Sequence, residues 1–342
     1  MDYLNLGRSG LRVSRACLGT MNFGTEYGLA ASDEAEAGRI IDAFLDAGGN
    51  FIDTADLYHR GETEEIVGRA LKGRREWVVL ATKGAMPVGP EGRGLSRRHL
   101  TRALDASLRR LGTDYIDLYQ CHQWDPVTPI EETMATLDGF VRAGKVRYLG
   151  CSNFTATQLV EAQWAAAGAG GTPFVSLQPQ YSLIQRVIEA EILPACERHG
   201  VGTIVYGVLG GGVLTGRYRH GEDPDPDSRM GRLLGHSLPG ANRWAHSLLN
   251  DRNLGIAEEL AKVAADLDAG PAAGSAAVAL AWVAQRPGVT SVLLGPRSVE
   301  QLRENLAAFE LNLPEEAVAR LDEISRQDVG PMDGSSFHLV PR

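Results

Sequence analysis

An aspartate, a tyrosine, a lysine and a histidine stand at or just beyond the ends of three consecutive apolar runs. Asp53 closes FID at 51–53, Tyr58 lies on the segment that follows, Lys83 ends WVVLATK at 77–83, and His122 ends YIDLYQCH at 115–122. A phenol, with an ordinary pKa of about 10, can donate a proton to a developing alkoxide when a cation stabilises the phenolate left behind. Lys83 is the candidate cation and is expected to lower the Tyr58 pKa. Asp53 would keep the lysine charged and in place, and His122 would hydrogen-bond and orient a substrate carbonyl. Taken singly, Asp53 reads as well as a buried structural carboxylate, Lys83 as a strand-end lysine with its stem covered, and His122 as a satisfied core histidine. Four such groups on three successive strands are hard to assign to packing alone.

Groups on separate strands converge only if those strands share one end of a sheet. The chain repeats a short apolar run followed by a helical pattern eight times, with runs at 16–21, 50–55, 77–83, 115–122, 146–153, 174–180, 202–208 and 291–295. Most are continuously apolar, as expected of parallel strands covered on both faces. The segments between them carry helix-start signals. Thr128 with Glu131 reads as a capping box with Pro129 at the first helical position, followed by a stripe of Ile130, Met134, Leu137 and Phe140 that Gly144 ends. Thr155 with Gln158, Ser298 with Gln301 and Asp33 with Glu36 repeat the capping pattern. Eight strand–helix pairs predict an α/β fold, a (β/α)8 TIM barrel, whose catalytic groups sit at the C-terminal ends of its strands.

A segment from Tyr3 to Val13 with a turn between Gly7 and Gly10 is expected to form a hairpin closing the bottom of the barrel. Two extra helices, near 254–267 and after Pro314, and a long loop at 217–252 fall outside the repeat. No linker divides the chain, so residues 1–342 read as a single barrel domain with a tail, 327–342, mobile at its end.

A net charge of −9 argues against nucleic acid or an anionic membrane surface as the main partner. The longest uncharged stretches, 202–216 and 271–285, are shorter than the roughly 18 apolar residues of a membrane span. The opening MDYLNLGRSG lacks the basic and apolar regions of a secretory signal, which predicts a cytoplasmic protein. Cys17, Cys121, Cys151 and Cys196 contain no Cys-x-x-Cys and read as buried thiols, with no metal site expected. No heptads or long apolar faces define an oligomeric state.

The sequence resembles the aldo-keto reductases, of the bacterial NADPH-dependent type, from LGRSGLRVSRACLGTMNFG near the start to ENLAA near Asn305. The motifs are Asp-Thr-Ala-x-x-Tyr at 53–58, Ala-Thr-Lys at 81–83, Leu-Tyr-Gln-x-His at 118–122 and Gly-x-Ser-Asn-Phe at 150–154. The resemblance implies a catalytic tetrad of Asp53, Tyr58, Lys83 and His122, with hydride transfer from NADPH to a small aldehyde or ketone. His122, where relatives that reduce steroid double bonds have glutamate, favours carbonyl reduction. The resemblance also leaves room for an enoyl or 2,3-reductase of a deoxysugar nucleotide, and for an NADPH-sensing subunit like the potassium-channel beta subunits.

No Gly-x-Gly-x-x-Gly occurs, so a Rossmann site is unsupported and a dinucleotide must lie across the barrel mouth. By resemblance, Gly19, Thr20 and Met21 lie beneath the nicotinamide, Ser152, Asn153 and Gln178 hold its carboxamide, and Tyr206 stacks on the ring. The loop LGGGVLTG at 209–216, with Leu209 and Gly211, offers backbone N–H groups to a pyrophosphate. The helix opened by GPRSVEQLRENL presents its N-terminus to a phosphate. There Gly295 and Arg297 face the 2′-phosphate, and Gln301, Glu304 and Asn305 face the adenosine. Ser228 and Arg229 belong to a loop that folds over the cofactor in many relatives.

The chain departs from that pattern in having Tyr206-Gly207-Val208-Leu209 where relatives have Tyr-Ser-Pro-Leu, which removes a serine contact. Gly295 and Gln301 replace the lysine and arginine of some members, so preference for NADPH rests on Arg297. Substrate would meet the loops at 23–29, 86–95 and 124–127, the loop with Trp244 and the tail with Phe337, with Phe23 and Trp124 as walls. Of the remaining histidines, His59 is singled out because it directly follows Tyr58.

Overall fold

The computed structural model describes residues 1–25, 32–86, 92–236, 239–267 and 274–327. Its centre is a closed parallel barrel of β3 (Ala16–Gly19), β4 (Phe51–Asp53), β5 (Val79–Gly84), β6 (Ile116–Cys121), β7 (Val146–Ser152), β8 (Phe174–Gln178), β9 (Gly202–Val205) and β10 (Ser291–Leu294), in sequence order, with β10 closing onto β3. Around it run α1 (Glu34–Asp46), α2 (Glu62–Ala70), α3 (Arg97–Leu111), α4 (Ile130–Arg142), α5 (Ala156–Gly168) and α6 (Ile192–His199), each between successive strands. The seventh connection is longer. It holds α7 (Arg229–Leu234), α8 (Pro239–Leu248) and α9 (Asp251–Asp266) before α10 (Ser275–Ala284), which is buried along most of its length. The chain then continues through α11 (Val299–Ala307) and α12 (Glu315–Ile324). The two extra helices expected from sequence are α9 and α12, but the segment expected as a loop at 217–252 contains α7 and α8. Their periodic stretches are short, six and ten residues, too brief to stand out against the Gly- and Asp-Pro-rich sequence around them.

The barrel interior is layered. Leu6, Val13, Cys17, Phe51, Ala81, Leu118 and Ile204 form a buried apolar cluster at its lower end. The antiparallel pair β1 (Tyr3–Asn5) and β2 (Arg12–Ser14) seals that end. Gly7 there has φ +60° and lies so close to Gly200 and Gly202 that a β-carbon would collide with their backbone. Because side chains alternate along a strand, the next inward positions above Phe51, Ala81 and Leu118 are Asp53, Lys83 and Gln120. Apolar filling below and polar filling above place the chemistry-bearing groups at the C-terminal mouth.

Helix capping agrees with the sequence only in part. Thr155 and Gln158 make both halves of a capping box. Asp33 and Ser298 accept from the expected N–H groups of Glu36 and Gln301, but neither reciprocal bond forms, because the Glu36 side chain bonds Arg39 and the Val299 N–H, and Gln301 Oε1 bonds the Arg297 N–H. The Thr128–Glu131 box does not form. The Thr128 hydroxyl donates to Asp125 Oδ2 at 2.6 Å, a charged acceptor in the same turn, and α4 starts after Pro129 without a side-chain cap. The four cysteines are buried free thiols. Among the described residues no helix is long and apolar enough to cross a membrane. The expected tail at 327–342, beyond Gln327, lies outside the described residues, as do the pocket positions 26–29, 87–91 and Phe337.

Candidate active site

Lys83 is fully buried, with its ammonium bonded to Asp53 Oδ2 at 2.5 Å, the Thr54 carbonyl at 2.9 Å and the Tyr58 hydroxyl at 3.2 Å. Asp53 Oδ1 in turn accepts from Gln120 Nε2 and Gln178 Nε2, each at 2.9 Å. A buried ion pair is tolerable only when its remaining lone pairs and protons are satisfied, and here donors on β6 and β8 and acceptors at Thr54 and Tyr58 do that. Burial alone would depress the Lys83 pKa, but Asp53 and then Tyr58 reverse the effect and raise it, so the ammonium stays charged. Tyr58 is raised above its ordinary value chiefly by burial, with Lys83 opposing. Lys83 lowers the phenol's pKa, as expected, but burial outweighs it. The phenol is held protonated in the free protein.

His122 follows β6 and meets the Tyr58 ring edge-on, centroids 5.9 Å apart. Burial, then the charge of Lys83, pushes its pKa down to about 3, so the imidazole is neutral at physiological pH. Its Nδ1 is buried without a partner. On the other side of the mouth the Tyr206 hydroxyl donates to Asn153 Oδ1 at 2.8 Å, and Asn153 Nδ2 donates to the His122 carbonyl at 3.0 Å and to Ser152 Oγ at 3.1 Å. Asn153 holds φ +59°, a left-handed conformation that asparagine tolerates better than most residues.

Farther round the mouth, α7 and α8 pack against the glycine loop. A β-carbon on Gly211, at φ +65°, would meet Met230 Cε at 2.3 Å. The Arg229 guanidinium lies over the Trp244 ring, 5.6 Å from its centroid, and its pKa is lowered by burial and by the nearby Arg297. Neither arginine side chain makes an ion pair among the described residues. Two like charges held together, one of them largely desolvated, make a site that an anion would relieve.

A polar barrel mouth of this construction has recognisable relatives. The Aldo/keto reductase family model matches residues 15–326. The chain belongs to the aldo/keto reductase family. It is 40% identical over 337 residues to the uncharacterized oxidoreductase YrpG of Bacillus subtilis, covering 95% of this chain and 96% of that protein. It is 37% identical to a probable voltage-gated potassium channel subunit beta of Oryza sativa, covering 91% and 92%. It is 35% identical to the norsolorinic acid reductase of Aspergillus flavus, covering 95% and 81%.

Within this aldo/keto reductase several residues stand where sequence reasoning did not put them. Phe23 is fully buried in the hydrophobic core, its carbonyl accepting from Thr63, and cannot wall a substrate pocket. It was placed as a wall with the loop at 23–29; its main-chain carbonyl is instead bonded by a hydroxyl 40 residues away. Trp124 is half-buried and packs edge-on against Phe154 at 5.2 Å. Gln178 spends its amide on Asp53. Gly210 and Gly212 donate their N–H groups to Gly207 and Leu209 within their own loop, which narrows the cradle expected there.

Other expected cofactor residues are distributed as follows. Gly19 ends β3, where a β-carbon would strike Leu293; Thr20 is buried on the Asp53 carbonyl; Met21 is exposed. Leu209 leads into the glycine loop, and the Gly295 carbonyl accepts from Asn22. Arg297 and Gln301 lie at the start of α11, with Glu304 and Asn305 further along it. Sequence reasoning missed Gln120, although it precedes His122 by two positions and strand alternation puts it on the inward face. Asp56 was also missed. It is 1% exposed with both carboxylate oxygens lacking a well-formed hydrogen bond, and burial, then Glu64, raises its pKa to about 8.

Proposed function

We propose that this protein is a cytoplasmic, NADPH-dependent carbonyl reductase, a single barrel domain acting on small aldehydes or ketones, with Tyr58 as the proton donor. The observation that carries the reading is the chain of contacts from Asp53 through Lys83 to the Tyr58 hydroxyl, at 2.5 and 3.2 Å, beside a neutral His122. The Tyr58 proton has one destination in such a site, the oxygen of a carbonyl as it becomes an alkoxide. The phenolate left behind is stabilised by an ammonium already in place, which removes reorganisation from that step. His122, neutral and with the proton on Nε2, can donate a hydrogen bond to the same oxygen without competing as the acid.

The nicotinamide cofactor, when bound, supplies the hydride. Asn153, Ser152 and Tyr206 offer a preorganised polar edge for its ring, with Thr20 and Met21 just beyond the end of β3 on the same rim. The unpaired Arg229 and Arg297 are the chemistry its phosphates call for, and Arg297 is the residue we assign to the 2′-phosphate, with Gln301, Glu304 and Asn305 toward the adenosine. The net charge of −9 argues against nucleic acid as the partner.

The test is loss of NADPH absorbance with purified protein and a panel of aromatic aldehydes, dicarbonyls and keto-sugars. Tyr58→Phe should abolish nearly all turnover while keeping NADPH binding; a variant that keeps most of its activity refutes Tyr58 as the acid. The similarity to plant proteins named as potassium channel beta subunits supports a second reading, an NADPH-sensing partner protein. NADPH binding without turnover of any substrate in the panel would favour it. Enoyl reduction is separated from both by loss of an enone band.

A further inference from the structure

His59, immediately after the proposed acid, lies in a left-handed turn that residues with side chains rarely adopt. His59 has φ +45° and Arg60 φ +54°, followed by Gly61 at +100°. Left-handed conformation costs a residue with a side chain on the order of 1–2 kcal/mol, and two in succession persist only where the surroundings hold them. What holds them is visible. The His59 side chain is buried, 3% exposed, and its Nε2 lies 3.2 Å from the Met21 carbonyl. A carbonyl only accepts, so the ring proton is on Nε2. The ring also fills the space above Gly24, where a β-carbon would approach His59 Cγ to 2.9 Å.

Other hydrogen bonds join the same two segments, including one from the Thr25 hydroxyl to Glu62 Oε1 at 3.4 Å. The Thr63 hydroxyl donates to the Phe23 carbonyl at 2.7 Å, and Glu62 Oε2 accepts the Thr25 N–H at 3.0 Å. These bonds tie the segment after β3, residues 21–25, to the segment after β4 that carries Tyr58. His59 makes the bond nearest the phenol.

We propose that His59 is a positioning residue, a clamp that fixes the Tyr58 segment to the Met21 segment and so sets the height of the phenol hydroxyl relative to Lys83. The Lys83 ammonium itself is bonded by Asp53, the Thr54 carbonyl and the Tyr58 hydroxyl. The clamp uses the strained turn to bring an N–H donor down onto the Met21 carbonyl, and it makes the position of the acid depend on the wall of the mouth formed by residues 21–25. The inference rests on the reading of Tyr58 as the proton donor, and its test separates the two.

Two variants divide the contributions. His59→Gly relieves the backbone strain and deletes the bond; His59→Gln keeps an amide donor near the height of Nε2 on the same strained backbone. Loss of the clamp is expected to lower kcat about tenfold to a hundredfold, because misplacing a catalytic group by about 1 Å can cost that much. His59→Gln should recover most of kcat. Hydrogen exchange in peptides spanning 20–25 and 54–63 should quicken in His59→Gly and stay slow in His59→Gln. The exchange readout does not require turnover, so it tests the clamp even if Tyr58→Phe shows that the acid lies elsewhere. Parental kcat with parental exchange in His59→Gly overturns the proposal, as does equal loss in both variants, which would make the ring's bulk rather than its bond the determinant.

Discussion

Replacing Asp53 by asparagine removes one charge from the site at nearly constant volume. The wild-type carboxylate divides its two oxygens, Oδ1 to Gln120 and Gln178 and Oδ2 to Lys83. An asparagine has one acceptor oxygen. If it faces the two glutamines, its NH2 points at the Lys83 ammonium, donor against donor, across a gap that is 2.5 Å in the parent. If it faces Lys83, the NH2 opposes two amide donors instead. Neither orientation satisfies the site, and Lys83, fully buried, is left with the Thr54 carbonyl and the Tyr58 hydroxyl as its remaining acceptors. Removing one partner of a buried ion pair costs about 3–5 kcal/mol. For a chain of this size that corresponds to a Tm lowered by roughly 4–7 °C.

Lys83→Met should be destabilising for the mirror reason, an uncompensated Asp53 carboxylate. The double variant Asp53→Asn/Lys83→Met, neutral throughout, should be more stable than the sum of the two single losses, with a coupling of about 2 kcal/mol or more. Thermal and urea unfolding of the four proteins measure the cycle. Single variants within about 1 kcal/mol of the parent, or losses that simply add, would refute the argument that the pair is held by mutual charge compensation in a sealed layer.

Two further perturbations probe the mouth and the shell behind it. Arg297→Ala should weaken NADPH about tenfold to a hundredfold, the worth of one or two hydrogen bonds to a charged phosphate, and leave NADH nearly unchanged in a fluorescence titration; equal effects remove the 2′-phosphate assignment. Asp56, whose pKa is raised by burial and Glu64 to about 8 against an ordinary value near 3.8, binds its proton more tightly folded than unfolded. It therefore destabilises the fold progressively as pH climbs from about 4 to about 8 and no further above that. The groups facing it are Glu64, Arg110, Lys83 and Tyr119. Asp56→Asn, which mimics the neutral acid, should gain stability over the parent as pH rises from 5 to 8 in denaturant melts; a difference independent of pH would show that Asp56 is charged throughout.

Much of the fold was legible because barrel strands are short, apolar and separated by capped helices, so local periodicity gives the order of elements. The four groups Asp53, Tyr58, Lys83 and His122 were legible for a related reason. Each sits at a strand end or on the segment directly after one, and a closed parallel barrel brings all such ends to one rim. The helix starts were legible where no competing acceptor was near, as at Thr155, and misread where one was, as at Thr128 beside Asp125. The short helices over the glycine loop were not legible, because α7 and α8 are stabilised by what they cover more than by their own sequences.

What the sequence by itself determined, then, was the order of strands and helices and the membership of the polar rim, since both depend on patterns a few residues long. The tertiary structure alone decided how that rim is held and tuned. Gln178 reaches Asp53 across 125 positions of chain, the Phe23 carbonyl is bonded by Thr63, and Arg229 is brought over Trp244 and beside Arg297. The direction of the Tyr58 pKa belongs to the same class. Lys83 pulls it down and burial pushes it up, and only the packed structure fixes how much water the phenol loses. Desolvation and long-range hydrogen bonds are properties of the assembled interior, which no window of sequence contains.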